Sequence, residues 1–310
     1  MAGITDRPFR EIAERYGAGM VVSEMVASAA LTTGHNDMVR KLTRSGSLPH
    51  MVQLAGCEPQ WMAEGARIAE SSGADIIDIN FGCPAKRVTS GYAGSALMRV
   101  PDQALAIVDA VASATRLPVT VKMRLGWDDE SLNAPQIARL AVGAGAQMIT
   151  VHGRTRQQFY KGQARWELVR AVVDAVPVPV VVNGDIVDIA SARAALDESG
   201  ASAVMLGRGA QGQPWRVGQI GAALDNNPMP SAPQGDELVS LIQRHYEDML
   251  IDYGTEVGLR AARKHLGWYA DAAGLELDKP TRKALLDNED PKDVLALIDI
   301  LFSGRWRAAA

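Results

Sequence analysis

Cysteine is scarce in this chain: its 310 residues include two, Cys57 and Cys83. Two thiols cannot build a disulfide framework, and neither belongs to a closely spaced pair of the kind that holds a metal, so no metal site and a reducing, cytoplasmic setting are expected. Long apolar runs are missing too. None approaches the roughly 20 residues that cross a bilayer, and the first residues lack the basic-then-apolar order of a secretory signal, so no membrane association is expected. A positive balance is also absent. The formal net charge is −4, which excludes a protein that coats a polyanion with its whole surface. A polyanionic partner must therefore meet a local basic patch: Lys86 with Arg87, Arg154 with Arg156 and Lys161, or the run Arg260 to His265. Taken singly, each reads equally well as a solvated face. No feature points to an obligatory protein partner.

What the chain does have is apolar substance and rhythm. Hydrophobic residues make up 47%, enough for one large core and a smaller one. Gly-Ala precedes four short apolar runs, at Met20-Val21-Val22, Ile76-Ile77, Met148 to Val151 and Ala203 to Leu206. Proline leads into three more, at Met51-Val52-Gln53, Val119-Thr120-Val121 and Val180-Val181-Val182. Between them lie segments of helical period, such as Trp61 to Ser71, Gln103 to Ala114 and Ile189 to Leu196, several followed by the glycine that suits a helix C-cap. Short strands alternating with helices predict a parallel α/β sheet, and seven strands over this length suit an eight-stranded (β/α)8 TIM barrel with its first strand truncated. Residues 1–6 are too short for that strand, and Met1-Ala2-Gly3 is expected to be its C-terminal tip. The barrel is expected over residues 1–227. A Pro-rich linker then spans 228–234, and helices near Glu237 to Tyr253, Glu256 to Ala272 and Pro291 to Phe302 form a second region over 235–310.

Every strand ends in something polar: Glu24, Gln53, Asn80, Lys122 with Arg124, His152 with Arg154, Asn183-Gly184-Asp185, and Gly207-Arg208. In a β/α barrel all of these face one mouth. No single tip is specific, but seven out of seven predict a pocket. After the strand Asp75 to Ile79, the segment Asn80-Phe81-Gly82-Cys83-Pro84-Ala85-Lys86 puts a thiol beside an amide and a lysine, with Gly82 and Pro84 expected to bend the backbone. Cys83 reads as functional and Cys57 as packing. Gly207 to Gly212 formally matches G-x-G-x-x-G, but it lies on the last strand instead of opening a βαβ unit, so a phosphate cradle with Asn183 to Asp185 is the better reading.

Taken together, Met1 to Arg10, Asn80 to Lys86, Gly94 to Leu97, Val151 to Arg156, Asn183 to Asp185 and Gly207 to Gly209, with Arg263-Lys264-His265 and Trp268-Tyr269 further on, resemble the bacterial tRNA-dihydrouridine synthases, in particular the DusB branch. The resemblance covers nearly the whole chain. It implies an FMN-bound barrel followed by a helical tRNA-binding domain, and reduction of the C5–C6 double bond of a tRNA uridine, with NADPH (NADH is possible) as electron donor. By that resemblance Met1, Ala2, Gln53, Lys122, His152, Asn183, Gly184, Asp185, Gly207 and Arg208 hold FMN. Lys122 would stabilise the anionic reduced ring, Gln53 would bond its polar end, and Arg208 would neutralise the phosphate.

Reduced FMN would then deliver hydride to C6, and an acid on the opposite face must protonate C5. Cys83 is the candidate, because an ordinary thiol with a pKa of about 8.5 is mostly protonated at neutral pH and can donate, provided no strong cation pulls it toward thiolate. Asn80, Lys86 and Arg154 are the expected substrate contacts in the barrel, with Arg263 and Lys264 on the tRNA-facing side of the helical region. A base inside tRNA must be extruded to reach a barrel mouth, hence the need for a docking surface. Residues 235–310 hold ten Lys/Arg against fourteen Asp/Glu, so docking must depend on where charges sit: Arg260, Arg263, Lys264, Arg282 and Lys283. Two other readings stay open: an FMN barrel acting on a free small molecule of dihydroorotate or enoate type, and a non-catalytic RNA-binding protein on a retained barrel.

Overall fold

A computed structural model describes residues 3–303 of the chain. Its strands are β1 (Val21–Ala27), β2 (His50–Ala55), β3 (Ile76–Phe81), β4 (Val119–Arg124), β5 (Ala146–His152), β6 (Val180–Asn183) and β7 (Ala203–Met205). They form one sheet in sequence order, and each pairs in parallel with the next. That order, with a helical crossover between successive strands, is that of a β/α barrel with seven of its strands among the described residues. Gly3 to Thr5 are turn and bend, and Met1 and Ala2 lie outside the described residues.

The strands form where the sequence is apolar on both sides of the pleat, as parallel strands between two packed layers require. β2 is buried at every position, and Val26, Val52, Leu54, Ile77, Ile79, Val121, Met123, Ile149 and Val151 expose nothing. Removing each such side chain from water contributes about 1.5–3 kcal/mol. The crossover helices begin and end where local chemistry dictates. Pro59–Ser71, Pro101–Ala114 and Ala134–Gly143 carry proline in the first turn, where no intrahelical N–H is needed. Ile189–Ser199 starts on an Asp188 capping box, with the Ser191 amide donating to Asp188 Oδ1 at 2.7 Å, and stops at Gly200 in the left-handed region with φ +67.

The chain divides into two compact units. One comprises Met1–Asp6 and Met20–Arg208; the other comprises Arg7–Gly19 and Gly209–Ala310. The helix Arg7–Arg15 and the residues from Gly209 onward thus group with the helical unit, which also contains Gly235–Tyr253, Thr255–Ala272, Lys279–Asp287 and Pro291–Phe302. Its core gathers Ile12, Trp215, Ile242, Tyr246, Met249, Leu266, Tyr269 and Ile298. His245 and His265 are buried within it with ring centroids 4.9 Å apart. Burial lowers the pKa of His245 to about 3, so its imidazole is neutral. Gly212 (φ +68) belongs here as well: a Cβ on it would strike the Trp268 carbonyl. The third glycine of the nucleotide-like motif therefore serves helix packing.

Candidate active site

The turn after β3 is built from the side chain of Asn80. Its Oδ1 accepts the backbone amides of Gly82 at 3.1 Å and Cys83 at 2.9 Å, while its Nδ2 donates to Gln53 Oε1 at 2.7 Å. The Cys83 carbonyl accepts from both the amide (3.1 Å) and the hydroxyl (2.9 Å) of Ser95, so the segment beginning at Gly94 closes over the turn from behind. The thiol-bearing residue stays partly exposed. Gly82 does not have the role expected of it. Its φ is not positive, and a Cβ there would sit 3.5 Å from its nearest neighbour, an ordinary contact. Gly94 carries the requirement instead, with φ +60 and room for a Cβ only 2.8 Å from the Cys83 carbonyl oxygen.

Strand register lines up the next tier of tips. Asn80 stands opposite Lys122, Arg124 opposite His152, and His152 opposite Asn183. Lys122 Nζ donates to Asn183 Oδ1 at 3.1 Å, and Asn183 Nδ2 donates to the Met205 carbonyl at 2.7 Å. Burial, followed by the Arg124 cation, lowers the pKa of Lys122 to about 8; Asp78 and Cys83 act in the opposite sense. Burial and then Lys122, Arg124 and Arg154 hold His152 well below the ordinary imidazole range. Its Nε2 lies 3.4 Å from Arg154 Nη1, and burial among these cations favours the neutral ring.

The turn after β6 is clamped from the β5 loop. Arg154, 2% exposed, places its fork on Asp185 at 2.8 and 2.5 Å. It also donates to the carbonyls of Lys161 at 3.1 Å and Gly162 at 2.6 Å. With His152 these partners account for all five guanidinium N–H groups. Arg154, the expected substrate contact, is buried here with its N–H groups directed at Asp185, His152 and the carbonyls of Lys161 and Gly162. Burial pushes the Asp185 carboxyl up, but Arg154 and the Ala164 amide (2.8 Å) outweigh it and hold the group below its ordinary value. Gly184 (φ +117) and Asp185 (φ +54) both take left-handed backbone. A Cβ on Gly184 would lie 2.9 Å from the Ala164 Cβ and 3.2 Å from His152 Nε2. Among the described residues the amides of Gly184 and Asp185 donate to nothing. Arg208 follows Gly207 just past β7, with its guanidinium 3.7 Å from Asp185 and 4.9 Å above the Tyr160 ring, half in solvent.

Gln53, Asn80, Cys83, Lys122, His152, Asn183, Gly184, Asp185 and Arg208 thus stand at the ends of neighbouring strands, bonded in the groups Gln53–Asn80–Cys83, Lys122–Asn183 and His152–Arg154–Asp185. Lys86 is exposed at the start of the short helix Lys86–Thr89. Met1 and Ala2 are outside the described residues. Arg263 and Lys264 belong to the helical unit, where Arg263 lies 3.7 Å from Asp287, Arg260 pairs with Glu256 and Arg282 with Asp271.

Asp78 was not marked in the sequence, and Arg124 was marked as a strand tip without a role. Asp78, 3% exposed, accepts from Thr120 Oγ1 and Gln53 Nε2, each at 2.6 Å, and burial raises its pKa to about 6. Arg124 donates to the Gly82 carbonyl at 2.8 Å and to those of Thr155 and Phe159 at 2.9 Å each, tying the thiol turn to the β5 loop. The available signal was a charged residue inside an otherwise apolar strand, which is costly unless partnered.

The sequence profile of the dihydrouridine synthase family matches residues 1–304. Similar curated proteins include a probable tRNA-dihydrouridine synthase of Rhodobacter capsulatus, 55% identical over 99% of this chain and 94% of that protein. Another, from Rhizobium leguminosarum, is 49% identical over 96% of this chain and 91% of the relative. A tRNA-dihydrouridine synthase B of Pseudomonas aeruginosa is 45% identical over 87% and 81% respectively. With the seven-stranded barrel and its polar strand ends, these matches establish that the chain belongs to the dihydrouridine synthase family of flavin-dependent oxidoreductases.

Proposed function

We propose that this protein reduces the C5–C6 double bond of a uridine in tRNA to 5,6-dihydrouridine, using FMN reloaded by NADPH or NADH, with Cys83 as the acid that protonates C5. The observation that carries the reading is the turn after β3: a partly exposed thiol on two amides pinned by one asparagine, beside the Lys122 and Arg124 cations. The relatives' names, which specify tRNA and dihydrouridine, agree with it.

The strand ends fit a flavin mononucleotide. The undonated amides of Gly184 and Asp185, the absence of room for a Cβ on Gly184, and the half-exposed Arg208 guanidinium suit a phosphate. Lys122 Nζ and the remaining Nε2–H of Gln53 suit the polar rim of an isoalloxazine. The neutral His152 ring and Asn183 complete the wall, and Gly207 precedes Arg208. Bound there, FMN supplies hydride for uracil C6.

The protein's own part is to hold and move one proton. Cys83 Sγ–H gives its proton to C5, and the thiolate left behind faces the Lys122 and Arg124 cations, both of which feel its charge. Partial exposure lets solvent return the proton. Asn80 keeps one Nδ2–H for a pyrimidine carbonyl, since its other groups are engaged. Lys86, exposed on the next helix, is the proposed contact to a phosphate of the RNA backbone.

Residues 235–310 are the proposed tRNA-binding region. Three of its five candidate basic residues carry an acidic neighbour, so the contribution of each is modest. Reversing the charge of Arg263 and Lys264 should weaken tRNA binding and lower its salt slope by about one for each phosphate that is no longer neutralised. Unchanged binding at two salt concentrations would remove this face from the reading.

The test of the function is direct. Dihydrouridine should disappear from one position of total tRNA in a deletion strain and return with the gene. The purified protein should release FMN on denaturation and restore the modification when given NADPH. A full dihydrouridine complement in the deletion strain would refute the assignment.

A further inference from the structure

We propose that Asp78 is a positioning residue for Cys83: its carboxylate sets the direction of a chain of side-chain amides that ends on the turn carrying the thiol. Each link is in hydrogen-bond range. Gln53 Nε2 donates to Asp78 Oδ2 at 2.6 Å, and Asn80 Nδ2 donates to Gln53 Oε1 at 2.7 Å. Asn80 Oδ1 then accepts the amides of Gly82 and Cys83 at 3.1 and 2.9 Å. Thr120 Oγ1 closes the far end on Asp78 Oδ1 at 2.6 Å. Asp78, Gln53 and Asn80 are all buried.

The two ends of this chain are chemically one-sided. A carboxylate accepts and does not donate; backbone amides donate and do not accept. Two primary amides strung between them have one consistent orientation, with NH2 toward Asp78 and oxygen toward Cys83. Turning either around sets donor against donor and acceptor against acceptor in a buried site, at the full cost of unmade hydrogen bonds. One negative charge in the middle of β3 therefore fixes the turn beyond that strand's end. A neutral residue of that size would be easier to bury but would leave this orientation unset. Burial drives this carboxyl up to about 6, and Lys122 is a neighbouring charge that favours its ionised form.

The kinetic part of the test rests on the proposed role of Cys83; the chemical part does not. Cys57 and Cys83 are the two thiols of the chain, so alkylation of the holoenzyme by iodoacetamide, read by mass spectrometry of two peptides, follows the turn with an internal control. Asp78→Asn has the same shape but can donate, so Gln53 and Asn80 lose their enforced orientation. Cys83 should then alkylate about tenfold faster, with Cys57 and the far-ultraviolet dichroism unchanged. Thr120→Val, which cuts only the far end, should leave Cys83 at the wild-type rate. In turnover, Asp78→Asn should lower kcat/KM for tRNA by about tenfold. Equal Cys83 alkylation in wild type and folded Asp78→Asn overturns the proposal. If that variant is not recovered folded, Asp78→Ala removes the acceptor without touching a group placed against cofactor or substrate and is read by the same two alkylation outcomes. Faster alkylation in a protein whose wild type forms no dihydrouridine would sink the proposed function and leave the positioning role standing.

Discussion

After β3, Asn80 turns its amide oxygen onto two backbone amides and leaves the Cys83 side chain partly exposed. After β6, Arg154 reaches in from a different loop and clamps Asp185, and the backbone amides of Gly184 and Asp185 have no partner among the described residues. The first turn is fixed through its backbone and presents a side chain. The second is fixed through a side chain and presents its backbone. A reactive thiol needs the former, because its direction must be set without its own sulfur being engaged. An anion cradle needs the latter, because N–H groups must point outward with no side chain in the way.

The hardest test of this contrast is Cys83→Ala. If the β3 turn exists to present the thiol, dihydrouridine formation should fall by a factor of about 10²–10⁴, the usual range for a positioned acid. Flavin content and NADPH-driven flavin reduction should remain at wild-type levels. Normal tRNA turnover would take Cys83 out of the acid role.

The paired glycines sharpen it next. Gly184→Ala forces a Cβ into Ala164 and His152 at a strongly positive φ, and should cost about 1–3 kcal/mol in chemical denaturation, with loss of FMN. Gly82→Ala meets only ordinary neighbours and should stay within about 1 kcal/mol of wild type. Equal effects of the two would mean that the turns do not differ as described.

Lys122→Ala touches both turns through its neighbours and should weaken FMN binding by about tenfold, read by flavin retention in dialysis. Undiminished flavin content and activity would show that its charge is not directed at the cofactor.

The smallest effect concerns Asp185. Its folded-state pKa lies below the unfolded value of about 4. Its contribution to stability is therefore complete above that value and is lost as pH falls through the folded one. Unfolding midpoints measured from pH 6 downward should decline in the wild type, and less steeply in Asp185→Asn. Identical slopes would mean that the Arg154 clamp contributes nothing to stability.

Much of this molecule is legible in its sequence. Each of the seven apolar runs became a strand, because a buried parallel strand needs a near-continuous apolar segment and few other structures do. The helices around Trp61, Gln103 and Ile189 and three of the C-terminal ones were legible from period and punctuation; Lys279–Asp287, short and opened by Lys279-Pro280, was not. The site was legible as a set of strand-end residues. Which groups the protein itself engages was less so: Arg154 is taken up by Asp185, the positive φ falls on Gly94 and not on Gly82, and Asp78 was not marked.

Sequence by itself determined which residues stand at strand ends, since pleat and strand length are local properties, and it thereby determined that Cys83, Lys122, His152 and Asn183 would share one face. Only the tertiary structure decided which of those groups are already engaged. Arg154 meets Asp185 31 residues away and Asn80 meets Gln53 27 residues away, each on another strand or turn. Whether a donor is engaged by the protein or left for a ligand depends on distances of a few tenths of an ångström that no local pattern encodes.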